Sequence, residues 1–139
     1  KKISNRIAIA QGEVKFSKNS FNKIIKTKSK KGEIINISIL AGIIGSKKTS
    51  DIIPLCHNIN IEKVDVDIKT DFNKFTLIVT SKVSTSAKTG VEMEALMAVS
   101  ISCLTIYDMC KSIDKSIIIK NIKLISKKGG KTDFLSKKK

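Results

Sequence analysis

Arginine is nearly missing from this chain. Of twenty-seven basic residues only Arg6 is one, against twelve acidic residues and a formal charge of +15. Proteins that read base edges or grip phosphates bidentately lean on arginine, and stacking on bases needs aromatic platforms. With no Trp, one Tyr and five Phe, a nucleic-acid binder is a competing reading that charge alone does not carry. The three cysteines, Cys56, Cys103 and Cys110, are odd in number and form no CxxC pair. That argues against a disulfide scaffold and for a reduced, cytoplasmic compartment. One histidine, His57 beside Cys56, leaves a zinc site short of ligands, so no metal centre is expected. No run approaches the roughly 20 apolar residues that span a bilayer, so no membrane partner is expected either. No basic-then-apolar leader follows Lys1, and the chain reads as a piece of a slightly longer one.

What is there suits a single globular unit. With 139 residues and 41% hydrophobic content, the expectation is one domain over residues 1–139, with a mobile basic tail from about Gly129. The lysine excess favours anionic partners, although the matching Ile, Asn and Ser excess also fits A/T-rich coding over a solvated surface. Arg6–Ser17 reads as a strand and Ser20–Lys28 as a short helix. The basic run from Lys28 to Gly32 reads as a loop. Glu33–Ser46 is apolar almost throughout; strand and helix patterns both fit it, and its length favours helix. Val64–Lys69 and Phe75–Val83 alternate cleanly around a turn at Asp71–Lys74, an antiparallel hairpin. Val91–Ile113 holds neither Gly nor Pro, and Leu96, Val99, Cys103, Ile106, Cys110 and Ile113 make a sheet-facing stripe. Ser116–Ile125 reads as the last strand. The order predicts an α+β fold of two layers.

The long helix has a second stripe: Glu94, Met97, Ile101, Leu104, Asp108 and Lys111. Asp108 and Lys111, three residues apart, bring a carboxylate and an ammonium together. That is either a solvated ion pair or a general acid and base on one ligand. Glu94 lies fourteen residues before Asp108, about 21 Å along a helix. One small substrate cannot touch both ends within one chain, so functional ends imply two sites or a site completed by a neighbour. Pro54-Leu55-Cys56-His57 is a stiffened segment bearing the one side chain that ordinarily titrates near neutrality. Lys31-Gly32 and Gly129-Gly130-Lys131 put lysines beside flexible glycines, able to reach an anion as point charges.

Three segments are far more specific together. Lys48-Thr49-Ser50-Asp51-Ile52-Ile53-Pro54-Leu55-Cys56-His57, Thr89-Gly90-Val91-Glu92-Met93-Glu94-Ala95 and Leu104-Thr105-Ile106-Tyr107-Asp108-Met109-Cys110-Lys111 resemble the molybdenum cofactor biosynthesis protein C family (MoaC). The likeness runs from about Arg6 to Lys131. It implies a ferredoxin-like sandwich, an antiparallel sheet with helices on one face, assembled as a homohexamer (a trimer of dimers) with sites at subunit interfaces. It implies a cyclic pyranopterin monophosphate synthase, a cytoplasmic lyase that rearranges a cyclic dihydroguanosine triphosphate and releases pyrophosphate. No resident cofactor is implied, although a triphosphate substrate leaves room for Mg2+. Carried across by position, the catalytic residues are Asp108, Lys111 and Lys31, with Lys31 expected to act from an adjacent chain. Leu55, Cys56, His57, Met93 and Glu94 match substrate-binding segments, and Glu92, Lys127 and Arg6 match pocket positions. Lys48 stands where the family commonly has Arg. A lysine among lysines would have a lowered pKa. A non-catalytic interaction protein of the same fold is a further reading; the motif residues standing in place argue against it.

Overall fold

Alternating small and β-branched residues start the chain as a strand, and the computed structural model, which describes residues 2–136, bears this out. β1 (Ser4–Lys15) leads into α1 (Lys18–Lys26), α2 (Lys28–Lys47) and the short α3 (Thr49–Ile52). The hairpin β2 (Lys63–Asp71) and β3 (Thr76–Ala87) follows, then α4 (Glu92–Cys110), β4 (Ile118–Lys128) and β5 (Phe134–Leu135). All pairings are antiparallel, in the order β2-β3-β1-β4-β5. The four long strands thus follow the 4-1-3-2 order of the ferredoxin-like sandwich, as expected.

Period-two alternation decides which face is dry. Ala8, Ala10 and Val14 of β1, and Leu77, Val79 and Val83 of β3, are buried under the helices. Against them α4 lays Ala95, Val99, Cys103, Ile106 and Cys110, the expected stripe apart from its half-buried ends at Leu96 and Ile113. Burial pushes the Cys103 thiol up to about 12 and the Cys110 thiol up to about 11, so both are packing groups. By length and mean hydropathy (1.4) α4 could cross a bilayer, which the search for an unbroken apolar run overlooked. Here it is the core helix, packed across β1, β3 and β4.

α2 explains why its own periodicity was ambiguous. The side it buries carries Ile34, Ser38, Gly42, Gly45 and Ser46, while Ile37, Leu40 and Ile44 stay exposed. Small residues let it approach α4 closely. A Cβ on Gly42 would fall 2.2 Å from Ser102 Oγ, and that hydroxyl donates to the Ser38 carbonyl at 2.7 Å. The run from Lys28 to Gly32 is not a loop but the first turn of this helix. Lysine is a good helix former, and one glycine costs only about 1 kcal/mol, which the packing of Ile34 outweighs. Beyond Gly129, the segment read as a mobile tail adds β5 against Ser126 and Lys127; residues 137–139 lie outside the described residues.

Asp114, just past α4, ties the two ends of the helical layer together. Its carboxylate accepts from Ser17 N (2.9 Å) and the Ser20 hydroxyl, and from Ser116 N (2.8 Å) and Oγ (2.6 Å). Burial opposes its charge, but these donors hold the carboxyl well below the usual carboxylate range. A depressed folded pKa contributes stability above the unfolded value and loses it as pH falls below that value. Asp114→Ala should therefore cost about 3 kcal/mol at neutral pH. Urea titration at pH 7 and below pH 4 checks this, with the gap to wild type narrowing in acid.

Candidate active site

The sheet delivers one set of side chains to the N-terminal end of α4. Arg6 of β1 and Lys127 of β4 point toward the helices because they share the inward phase of Ala8. Arg6 is buried, its Nε donating to Ala87 O (3.2 Å) and its Nη2 to Lys88 O (2.8 Å). Lys127 Nζ meets Glu92 Oε2 at 3.0 Å. Burial opposes charge on Glu92, yet its own backbone N–H and the Lys127 ammonium outweigh it and lower the carboxyl's pKa. These three residues line a pocket of about 180 Å³ with Thr89, Lys128, Lys131 and Thr132. Four cationic side chains face one carboxylate there. Val91 places no side-chain cap on the helix, so the first-turn N–H groups add to the positive field. Gly129, at φ +97, is forced: a Cβ would fall 1.8 Å from the Asn5 carbonyl oxygen.

The Leu55–His57 segment lies against the same end. Leu55 is 95% exposed and His57 is exposed, while Cys56 is half-buried, its thiol within reach of two acceptors, His57 O at 3.8 Å and Glu94 Oε2 at 3.9 Å. Desolvation, then the Glu94 carboxylate, pushes the Cys56 thiol up, so it is a donor rather than a nucleophile. Burial likewise raises Glu94. Met93 is half-buried beside it.

Asp108, Lys111 and Lys31 belong to the other end. Lys111 Nζ sits 2.9 Å from Asp108 Oδ1, both side chains well exposed. The hydrogen bond to Asp108 and its charge raise the Lys111 pKa, opposite to the lowering expected from a lysine cluster, because the group beside this amine is a carboxylate. Lys31, in the first turn of α2, holds its Nζ 5.6 Å from the centre of the Phe72 ring. The chain passes α2 antiparallel to α4, and Lys30 lies close enough to Cys110 to act on its thiol, so Lys31 shares the Asp108–Lys111 end of its own chain. One chain therefore carries these two groups of side chains at opposite ends of α4. The sequence reading missed Phe72, Lys128 and Thr132. An exposed aromatic in a hairpin turn was the one available signal for Phe72; nothing local marks the other two.

The MoaC family model matches residues 1–130. A cyclic pyranopterin monophosphate synthase of Helicobacter pylori (strain G27) is 48% identical over 139 residues, covering 99% of this chain and 88% of the relative. The chain belongs to the MoaC family. Similar proteins of the same name in Heliobacterium modesticaldum and Cereibacter sphaeroides are each 43% identical. They cover 93% and 95% of this chain, and 81% and 83% of their own lengths.

Proposed function

We propose that this protein is a cyclic pyranopterin monophosphate synthase of molybdenum cofactor biosynthesis. It is a lyase that converts (8S)-3',8-cyclo-7,8-dihydroguanosine 5'-triphosphate to cyclic pyranopterin monophosphate with release of pyrophosphate. The supporting observation is the division of the motif residues into an acid–base end (Asp108, Lys111, Lys31) and a cationic pocket end (Arg6, Glu92, Lys127, with the Leu55–His57 segment against the same end of α4). A leaving pyrophosphate needs clustered positive charge. Ring opening and reclosure need protons moved in both directions, which suits a carboxylate and an amine held together.

The assembly is a homohexamer, a trimer of dimers, in which the acid–base end of one chain meets the pocket end of another. Exposed Leu104 on α4, with Ile37, Leu40 and Ile44 on α2, supports this; apolar groups of that size beside a catalytic pair suit a surface that a second copy covers. Enclosure there would strip water from Asp108 and Lys111 and strengthen their interaction. The protein works in the cytoplasm, as its three free cysteines suit a reducing compartment. No resident cofactor is required, and a triphosphate substrate leaves room for magnesium.

Incubation with the cyclic triphosphate should release pyrophosphate stoichiometrically with pterin formation. Duplex DNA should be lost from the protein at moderate salt. Retention of DNA at that salt with no pyrophosphate release would overturn the proposal in favour of a nucleic-acid binder.

A further inference from the structure

We propose that Phe72 is a positioning residue, whose ring holds the Lys31 ammonium at the Asp108–Lys111 end of α4 and leaves that charge free for substrate. The proposal rests on the reading of Lys31 as a working amine of the acid–base end. Nothing local fixes that amine. The first turn of α2 has no side-chain cap from Thr27 and no acidic residue, and it carries Lys28, Lys30 and Lys31 where the helix dipole favours acids. Gly32 follows, with open space where a side chain would stand, and a glycine there weakens the helix by about 1 kcal/mol. The first side chain that α2 buries in the core is Ile34.

Phe72 supplies the tie that this turn lacks. Lys31 Nζ lies over its ring, 5.6 Å from the centre, inside the roughly 6 Å over which a ring quadrupole attracts a cation. No carboxylate lies within ion-pair distance of Lys31 among the described residues. The ring is itself held from behind. Phe72 and Phe21 meet edge to face, with centroids 6.1 Å apart and planes at 85°. Phe21 is buried and packs in turn on Phe16 (6.1 Å) and Phe75 (5.8 Å). Four of the chain's five phenylalanines thus run from the core to this amine.

The hairpin tip does not need the Phe72 side chain for its own shape. Asp71 Oδ1 accepts from Asn73 N (3.0 Å) and Lys74 N (3.1 Å), and Phe16 N donates to Phe75 O (2.9 Å). Phe72 also stays 61% exposed, so burial does not account for an aromatic there. A cation on its face does. The two amines of this end are then held by different means. Lys111 is paired with the Asp108 carboxylate at 2.9 Å, which engages an N–H and offsets its charge. A π face attracts an ammonium without carrying a net charge of its own. Lys31 therefore keeps its charge and its three N–H donors for an anionic oxygen of the substrate.

Phe72→Leu keeps an apolar group at the tip and removes the π face, whereas Phe72→Tyr keeps the face. With isotope at the lysine Cε, the resonance lost in Lys31→Arg identifies Lys31. Its ε protons should lie upfield of those of the other lysines in the free protein, shifted by the ring current. They should hold that position in Phe72→Tyr and rejoin the other lysines in Phe72→Leu. Phe72→Leu should lower kcat/KM about three- to fivefold, and Phe72→Tyr should restore it to near the wild-type value. Phe72→Met carries the test if Phe72→Leu does not fold. Lys31 protons unmoved by loss of the ring would overturn the proposal. So would an unchanged kcat/KM in an active Phe72→Leu, or a Phe72→Tyr as impaired as Phe72→Leu. Inactivity of the wild-type protein toward the cyclic triphosphate would fault the reading of Lys31 as a working amine, and the resonance test of the ring contact would stand.

Discussion

Chains carrying Lys111→Ala and chains carrying His57→Ala, each inactive alone, should regain about a quarter of wild-type activity when unfolded together and reassembled. Lys111 closes the C-terminal end of α4, whereas His57 lies against its N-terminal end. A site that draws one end from each of two chains is intact when the first chain has Lys111 and the second has His57. Random mixing of equal amounts leaves one combination in four whole. The pairing of Lys31→Ala with Lys111→Ala is the control. Lys31 sits in the first turn of α2, whose neighbour Lys30 acts on Cys110, so both substitutions fall on the same half of a chain. That mixture should stay inactive. Pyrophosphate release is the readout. Recovery in the control alone would mean that Lys31 serves a different chain from Lys111; recovery in neither would remove the shared site.

The sheet and α4 were legible because their residues obey one period each. Val64, Val66 and Ile68 alternate with Asp65, Asp67 and Lys69, and the Asp71 carboxylate closes the turn by accepting from Asn73 N and Lys74 N. α2 was not legible in this way, since the side it buries mixes Ile34 with Ser38, Gly42 and Gly45 while Ile37, Leu40 and Ile44 face out. A helix with apolar residues on both its packed and its exposed sides carries two overlapping patterns, and no single period describes it. The site divides similarly. Asp108 and Lys111 were readable as a pair from their spacing alone, but that spacing equally describes a surface ion pair. Arg6, Glu92 and Lys127 come together only when β1 and β4 pair and set Ala8 opposite Lys127, a register fixed across more than a hundred residues of sequence. The length of α4 was the one long-range quantity that the sequence supplied, and the structure puts Glu94 and Asp108 near opposite ends of that one helix.

Asp108→Asn should lower kcat by about 10²–10⁴-fold, the usual loss when a proton-transferring group is removed, and leave stability within about 0.5 kcal/mol of wild type. The carboxylate is 71% exposed and its ion pair with Lys111 joins neighbours three apart on a helix, a pair that contributes little to folding. Asp114→Ala should behave in the opposite way, losing stability first, because its carboxylate is buried among four donors. The pH profile adds a sign. Asp108 raises the Lys111 pKa through its hydrogen bond and its charge. Removing that charge lets the amine fall back toward its ordinary value, so the alkaline limb of residual activity should move to lower pH. A limb that stayed in place while kcat collapsed would mean that Lys111 is not the group titrating there, and Asp108 would then act on the substrate without its neighbour.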